Sequence, residues 1–261
     1  MEETAMNLKK RIQSGERVLG TMVTTFDTPD LAKILKVCGF DFFIIDCEHG
    51  SFSYDGCSRM IGVARSIGLP AIVRIPGPLR EPALKFMEMG AAGLLLPNTE
   101  CAEDARKLVG FTKYAPMGRR GVSLSRPHTD FMKVDGRAYM ERANEETLLL
   151  CQIESRAGVE HVEEILAVEG IDIAFMGPND LSQDYGLLGQ YGHPEIAAAF
   201  ERVIRAAKDA GKASGTHFGG MEPLARWIKA GMTVNMCSSD IGLMQMGAKS
   251  MRAWLDEHTK Q

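Results

Sequence analysis

Short apolar runs alternate with longer amphipathic stretches along almost the whole chain. In several runs hydrophobic residues occupy successive positions instead of every second one, as in FDFFIID (40–46) and TLLLCQI (147–153). Runs that are apolar on both faces are typical of parallel strands covered by helices. The pattern predicts eight strands, at residues 17–25, 41–48, 71–76, 93–97, 147–154, 172–178, 212–218 and 232–239.

The stretches between these strands carry the start and stop signals of helices. TPDLAKILKVCG (28–39) opens with a Thr cap and a Pro in the first turn, and it ends in Gly. PEIAAAFERVIRAAKDAG (194–211) also begins with Pro and ends with Gly. In AEDARKLVGFTKY (102–114) acidic residues precede basic ones, which is the order that the helix dipole favours.

Eight strand–helix units in 261 residues match the size of a (β/α)8 TIM barrel, and a doubly wound open sheet is the alternative. No linker-like stretch interrupts the chain, so we expect a single domain over residues 1–261 with a short N-terminal helix. One segment, residues 114–146, breaks the alternation and contains PMGRRGVSLSRPHTDF (116–131). A long irregular insertion of this kind often forms a lid or a binding loop.

Composition and net charge argue against some classes of binding partner. The chain is 45% hydrophobic and 25% charged, which is ordinary for a globular protein, and its net charge of −4 does not favour nucleic acid or an anionic membrane. No apolar run reaches the roughly 18 residues of a membrane span, and the N-terminus lacks the apolar core of a signal peptide. Six scattered cysteines without a CxxC pair predict reduced thiols. We therefore expect a cytoplasmic protein.

Polar side chains concentrate at the ends of the predicted strands, where TIM-barrel enzymes carry their catalytic groups. A charge at the end of an apolar strand needs a partner, because burying it alone is costly. These residues are Asp46, Glu48 and His49 after the second strand, Arg74 in the third, Gln152 and Glu154 in the fifth, Asn179, Asp180 and Ser182 after the sixth, and Ser238, Ser239 and Asp240 after the eighth.

Glu154 and Asp180 end neighbouring strands, so their carboxylates can converge on one hard divalent cation. No cluster of Cys and His favours zinc. The alternative is structural: Glu154 would pair with Arg156 or cap a helix, and Asp180 would cap the helix that follows it. Spacing alone leaves both interpretations open.

Two further side chains have both a catalytic and a structural interpretation. Arg74 could clamp an oxyanion or a carboxylate with its planar fork, or form an ion pair with Asp46 or Glu48. His49 could act as a general base oriented by Asp46, three residues earlier, or lie at the surface as an ordinary hydrogen-bonding group. Neither GxGxxG nor GxxxxGK[ST] is present, so a nucleotide cofactor is not expected.

Six motifs together resemble those of the HpcH/HpaI aldolase family, the metal-dependent class II pyruvate aldolases. The resemblance spans residues 20–248 approximately, and its most specific part runs from QIES to GPNDLS. The motifs are FDFFIIDCEHGSF (40–52), AIVRIPG (71–77), GAAGLLLPNTECAEDARKLV (90–109), YAPMGRRGVS (114–123), LLLCQIESRAGVEHVEEILAVEGIDIAFMGPNDLS (148–182) and AGKASG (210–215).

The resemblance implies a TIM barrel of the phosphoenolpyruvate/pyruvate type and a hexamer built as a trimer of dimers that exchange the last helix. It implies Mg²⁺, Mn²⁺ or Co²⁺ as the cofactor, held by Glu154 and Asp180. It assigns the other roles by position: Arg74 faces the enolate oxygen, His49 and Asp46 form the base, and Gln152, Asn179 and Asp180 bind the keto acid.

The implied reaction is reversible cleavage of a 4-hydroxy-2-oxo acid to pyruvate and an aldehyde through a metal-stabilised pyruvate enolate. The alternatives are a lyase of the citramalyl-CoA or malyl-CoA type and a non-catalytic barrel that binds a keto acid. The insertion departs from the commoner family pattern. We therefore predict that Ser123, Arg126 and His128 shape the aldehyde pocket, with Ser123 contacting the substrate.

Overall fold

Eight parallel strands close into a barrel in the computed structural model, which describes residues 3–259. Each strand pairs in parallel with the next, and the last pairs with the first. The predicted barrel is confirmed, and the open sheet is excluded. The strands are β1 (Val18–Val23), β2 (Phe42–Asp46), β3 (Ala71–Arg74), β4 (Gly93–Leu96), β5 (Leu148–Ile153), β6 (Ile173–Met176), β7 (Ala213–Phe218) and β8 (Val234–Ser239).

Helices separate the strands and surround the barrel. The two stretches with Pro near the start and Gly at the end both form helices, one starting at Asp30 and one at Pro194. The helices are α1 (Glu3–Gln13), α2 (Asp30–Val37), α3 (Tyr54–Ser66), α4 (Arg80–Met89), α5 (Ala102–Thr112), α6 (Gly136–Glu146), α7 (Arg156–Glu160), α8 (Val162–Leu166), α9 (Pro178–Asp184), α10 (Pro194–Asp209), α11 (Glu222–Lys229) and α12 (Asp240–Thr259), with a 3-10 turn at Pro127–Thr129.

Both faces of the strands are buried, which explains why their sequences are continuously apolar. Successive side chains point to opposite faces of a strand. In β2, Phe42 and Ile44 belong to the cluster that fills the barrel, whereas Phe43 and Ile45 belong to the cluster between the strands and the helices. The same alternation recurs around the ring.

Helix α1 covers the N-terminal end of the barrel. Its Leu8 and Ile12 are buried in the barrel-filling cluster, together with residues at the starts of β1, β5 and β8. The Lys9 ammonium lies 2.9 Å from a carboxylate oxygen of Asp172 and donates to the backbone carbonyl of Thr147. The predicted N-terminal helix is therefore present, and it closes the end of the barrel away from the strand-end polar residues.

The insertion between α5 and β5 also packs at the N-terminal end, and it includes α6. The buried Lys113 donates through Nζ to the carbonyl oxygens of Asn144 (2.6 Å) and Thr147 (2.7 Å). The Asn144 side chain bonds both backbone groups of Tyr114. These contacts join the two ends of the segment, which is an ordered cover on the barrel and not an irregular loop throughout.

The last helix, α12, leaves most of its side chains exposed. Within it only Asp240 is buried, whereas Met244, Met251 and Trp254 are more than 60% exposed. The exchange of this helix between subunits stays a prediction, because a single chain is described. None of the helices within residues 3–259 combines the length and the apolar character needed to cross a bilayer.

The buried His128 is predicted to make the fold sensitive to acid. Burial, assisted by the charge of Arg120, lowers its pKa to about 4, against about 6.5 in an unfolded chain. Between these values the unfolded chain binds a proton that the folded chain does not. The free energy of unfolding should therefore fall by up to about 3 kcal/mol as the pH decreases from 6.5 to 4.

The matched variant is His128→Asn. The amide of Asn can replace the hydrogen bond between His128 Nδ1 and the carbonyl of Glu88 (3.1 Å) but does not titrate in this range. Urea unfolding of both proteins from pH 4 to pH 7 should give similar stabilities near pH 7, and the wild-type curve should fall below that of the variant as the pH decreases from 6.5 to 4. Parallel curves would show that His128 does not carry this part of the acid sensitivity.

Candidate active site

The barrel interior becomes polar at the C-terminal ends of β2, β3 and β5. Asp46, Arg74 and Gln152 each lie two positions after a side chain of the apolar barrel filling, and all three are buried. Since side chains repeat every second residue along a strand, these groups form the last interior layer. The register of β2 against β3 sets Asp46 directly beside Arg74.

Arg74 and Asp46 form a two-pronged ion pair. Nε of Arg74 donates to Oδ1 of Asp46 at 2.9 Å, and Nη2 donates to Oδ2 at 2.7 Å. Burial acts to raise the pKa of Asp46, but the bonds and charge of Arg74 outweigh it and hold that pKa below its ordinary value. Arg74 therefore forms the ion pair with Asp46 that its structural interpretation predicted. The two bonds fix the plane of the guanidinium.

Glu48 and His49 extend this cluster toward solvent. Nη1 of Arg74 lies 3.1 Å from Oε2 of Glu48, and burial raises the pKa of Glu48 despite that contact. The His49 imidazole is 68% exposed, and its Nε2 lies 3.7 Å from the same Oε2. Asp46 receives the backbone N–H of His49, not its ring. The predicted His49–Asp46 side-chain contact is absent because both oxygens of Asp46 face Arg74.

Glu154 follows β5 and is a buried carboxylate without a basic partner among the described residues. It is 3% exposed, and it accepts from Nε2 of Gln152 (2.5 Å) and from the backbone N–H of Asn98 (2.8 Å). Burial raises its pKa to about 7, and the charges of Asp180 and Glu48 add to this effect. Gly177 makes room for it, since a Cβ there would lie 2.1 Å from Oε2 of Glu154.

The structural alternatives for Glu154 and Asp180 are wrong. The backbone N–H of Arg156 bonds Asp184, and its guanidinium lies over the ring of Tyr185, so Arg156 does not neutralise Glu154. Ser155 caps α7 through its hydroxyl. The cap of α9 is Gly177, and Asp180 lies within the first turn with its side chain exposed.

Asn179 and Asp180 lie together at the start of α9. The side-chain oxygen of Asn179 accepts from the Tyr191 hydroxyl. The charge of Asp180 acts on the pKa of both Glu154 and Glu48, which places the three carboxylates in one electrostatic neighbourhood. The structure therefore brings Asp180 to the strand-end cluster, as predicted from the strand order.

The cluster carries an excess of negative charge that suits a divalent cation. Arg74 faces the carboxylates of Asp46, Glu48 and Glu154, and the charge of Asp180 acts on Glu154 and Glu48. Oε1 of Gln152 is buried without a hydrogen-bond partner. Two carboxylates and an amide oxygen are hard ligands that fit Mg²⁺ or Mn²⁺, with further positions left to substrate and water. Within residues 3–259, no group of three or more His, Cys, Asp or Glu side chains forms a closed protein site.

Three further residues contribute to this region, of which Ser238 was among the strand-end residues noted in the sequence and Asn98 was not. Asn98 bonds Glu154 through its backbone and has a left-handed φ of 47°, a conformation that Asn tolerates better than most residues. The Pro-Asn pair at the end of the fourth predicted strand is the sequence feature that could have identified Asn98 as a site residue. His217 and Ser238 end the interior rows of β7 and β8, and Nε2 of His217 lies 2.7 Å from the carbonyl oxygen of Ser238.

Ser123, Arg126 and His128 are not brought to this cluster within the described chain. Oγ of Ser123 accepts from Nε of Arg126 at 3.2 Å. His128 lies at the opposite end of the barrel, against the carbonyl of Glu88. The prediction that His128 shapes the aldehyde pocket is therefore wrong for a single chain, since the insertion packs on the strand starts. The substrate contact of Ser123 stays a prediction.

Comparisons with known proteins all identify aldolases as relatives of this chain. A family model described as HpcH/HpaI aldolase/citrate lyase matches residues 22–245. A hydroxypyruvate/pyruvate aldolase of Roseobacter denitrificans is 33% identical over 248 residues, or 94% of this chain and 95% of that protein. A 2-keto-3-deoxy-L-rhamnonate aldolase of Escherichia coli is 36% identical over 210 residues, or 79% of this chain and 77% of the relative.

Comparison with solved structures identifies the same family as the sequence comparison. The crystal structure of an HpcH/HpaI aldolase from Desulfitobacterium hafniense superposes with a TM-score of 0.91 at 33% identity, covering 96% of each chain. The similarity thus extends over the whole barrel and both ends of its strands.

Proposed function

The chain belongs to the HpcH/HpaI aldolase/citrate lyase family, and on that premise we propose that it is a divalent-metal-dependent class II aldolase. Its reaction is the reversible cleavage of a 4-hydroxy-2-oxo acid to pyruvate and an aldehyde. The names of its relatives, which are aldolases of keto acids, support this class of substrate.

The observation that carries the proposal is the buried Glu154 carboxylate beside Asp180, Glu48 and the free amide oxygen of Gln152. A negative charge held out of water with no basic partner is unfavourable, and a bound cation removes the penalty. Glu154 and Asp180 would hold Mg²⁺, Mn²⁺ or Co²⁺. When bound, the cation would polarise the keto acid and stabilise negative charge on its C2 oxygen.

Arg74 would supply the second stabilising charge. Because Asp46 holds the guanidinium by two bonds, its position does not have to be organised during the reaction. Gln152, anchored on Glu154, would orient the keto acid, and Asn179 would contact the substrate carboxylate through its backbone N–H. Asp46 acts in this proposal as a positioning residue for Arg74.

His49 is the proposed base that removes a proton from the methyl carbon of pyruvate and returns it during cleavage. Its ring is exposed at the cluster and near Glu48, so Glu48 takes the place first predicted for Asp46 as the neighbouring carboxylate. The strand-end residues identified from the sequence include no lysine, so a Schiff-base route forms no part of the proposal.

The proposal extends to the assembly and its location. The exposed Met244, Met251 and Trp254 of α12 would be covered in a homo-oligomer, consistent with the predicted hexamer. We propose that the chain is a single barrel domain over residues 1–261 and acts in the cytoplasm.

A coupled assay for pyruvate tests the function directly. The protein is incubated with a panel of 4-hydroxy-2-oxo acids, with Mg²⁺, Mn²⁺ or Co²⁺ or with EDTA, and we expect metal-dependent pyruvate release from at least one of them. In parallel, proton exchange at the pyruvate methyl group in D₂O is followed by NMR. Binding of pyruvate without any exchange would favour the non-catalytic barrel, and cleavage that requires a CoA thioester would favour the alternative lyase.

A further inference from the structure

A second cavity lies at the other end of the barrel from the strand-end cluster. It has a volume of about 650 Å³ and is bounded by the starts of β3, β4 and β5, by α3 and α4, and by the insertion. Ala71, Ala92 and Thr147 mark the strand starts in its wall. Gln152 in β5 lies five positions after Thr147, which is about 16 Å at roughly 3.3 Å per residue.

Arg120 lines this cavity and has no counter-ion among the described residues. Its side chain is 6% exposed, and its Nε and Nη2 have no hydrogen-bond partner. The guanidinium carbon lies 4.6 Å from the centre of the Tyr114 ring, which supports one face of the planar group. None of the described carboxylates lies within ion-pair distance of it.

The other charged groups of the wall are already matched. Arg65 lies 3.2 Å from Asp130, and Arg142 lies 3.7 Å from Glu146. Among the described residues, three guanidiniums and two carboxylates line the cavity, and Arg120 is the guanidinium for which no ion pair is formed with them. Burial lowers the pKa of Arg120, but a guanidinium does not lose its proton at neutral pH. An unmatched buried charge of this kind calls for an anion.

The rest of the wall is largely apolar. Leu69, Met87 and Met89 line the inside, while Phe131 and Met132, which are 70% and 66% exposed, form the solvent-facing edge. Methionine side chains adapt to ligands of different shape. A ligand-sized cavity that combines apolar walls with a few polar or charged anchors is typical of a small-molecule site.

We propose that this cavity binds a small organic carboxylate, whose anionic group pairs with Arg120 and whose apolar body packs on the methionine wall. The site is separate from the strand-end cluster and does not rest on the proposed aldolase activity. The ligand needs both an anionic group and an apolar body. A neutral molecule leaves the charge of Arg120 unpaired, and an inorganic anion leaves the apolar wall exposed to water.

Benzoate is the probe that we choose for the test, with benzamide as its neutral analogue and inorganic phosphate as an anion without an apolar body. Binding to the full-length protein is measured by isothermal titration calorimetry in EDTA, so that no metal recruits the carboxylate. We expect benzoate to bind at least tenfold more tightly than either control compound.

Three variants locate the binding. Arg120→Gln removes the anchor, and Met132→Asp places a repelling carboxylate on an exposed edge residue, where it should not disturb folding. Both should weaken benzoate binding at least tenfold. Glu154→Gln, at the other end of the barrel, should leave it unchanged.

Several results would overturn the proposal. They are unchanged binding in Met132→Asp or in folded Arg120→Gln, loss of binding in Glu154→Gln, equal affinity for benzamide or phosphate, and no binding of benzoate at all. If Arg120→Gln does not fold, Met132→Asp decides, because its side chain contributes little to the core.

Discussion

Replacing Glu154 with Gln should lower metal-dependent aldol cleavage by about 10³-fold or more while making the metal-free protein more stable. The loss of activity follows because a neutral amide is a much weaker ligand for a hard cation than a carboxylate. A factor of 10³ corresponds to about 4 kcal/mol of lost transition-state stabilisation, within the range expected when a charged group of an active site is removed.

The gain in stability follows from the pKa of about 7 that burial imposes on Glu154. Between pH 4.5 and 7 the folded metal-free protein holds a proton that the unfolded chain has released. Its free energy of unfolding should therefore decrease by up to about 3 kcal/mol as the pH rises through that window. Gln does not titrate, and its amide can donate to the unpartnered Oε1 of Gln152.

The measurement is urea unfolding in EDTA at pH 5 and pH 8, together with the pyruvate assay. Glu154→Gln should exceed the wild-type stability at pH 8 and approach it at pH 5, and added Mn²⁺ should stabilise only the wild-type protein. Asp180→Asn is the matched control: its side chain is exposed, so it should lose activity without gaining stability. Full activity of both variants in EDTA would refute the metal-dependent mechanism.

Replacing Arg74 with Lys is expected to lower kcat/KM by about 10²- to 10³-fold with little loss of folding. Lys can keep one charged contact with Asp46 but cannot reproduce the planar two-pronged pair, so the charge facing the substrate is no longer held in place. The loss corresponds to about 3–4 kcal/mol, as found for the removal of one oxyanion-stabilising donor.

Arg74→Met separates the catalytic effect from the structural one. It leaves the buried Asp46, 2% exposed, without a partner and should reduce the free energy of unfolding by about 3–5 kcal/mol. The double variant Asp46→Asn/Arg74→Met should recover much of that stability but no activity. If Arg74→Lys exchanged the methyl protons of pyruvate at the wild-type rate, the pair with Asp46 would be structural only.

The polar end of the barrel was predictable because it obeys a local rule. Asp46, Arg74 and Gln152 lie two residues beyond apolar interior positions, and alternation along a strand is a property of neighbouring residues. Parallel pairing of consecutive strands then brings Glu154 and Asp180 to the same rim, which required only the order of the elements. The eight strands themselves were predicted within two residues at most of their boundaries.

The choice between competing contacts was not predictable. His49 lies three positions after Asp46, and that spacing permits an imidazole–carboxylate contact. Only the register between β2 and β3 shows that Arg74 occupies both oxygens of Asp46. The participation of Asn98 depends equally on a loop from another strand approaching Glu154.

The sequence by itself determined the barrel, the layer of polar residues at its rim and the two carboxylates that suit a cation, since each follows from periodicity or element order. Only the tertiary structure decided which partner Asp46 takes, where the insertion packs and that Arg120 faces a cavity with no counter-ion in the described part of the chain. Those outcomes depend on contacts between residues far apart in the chain, where packing and burial, not spacing, select the neighbour.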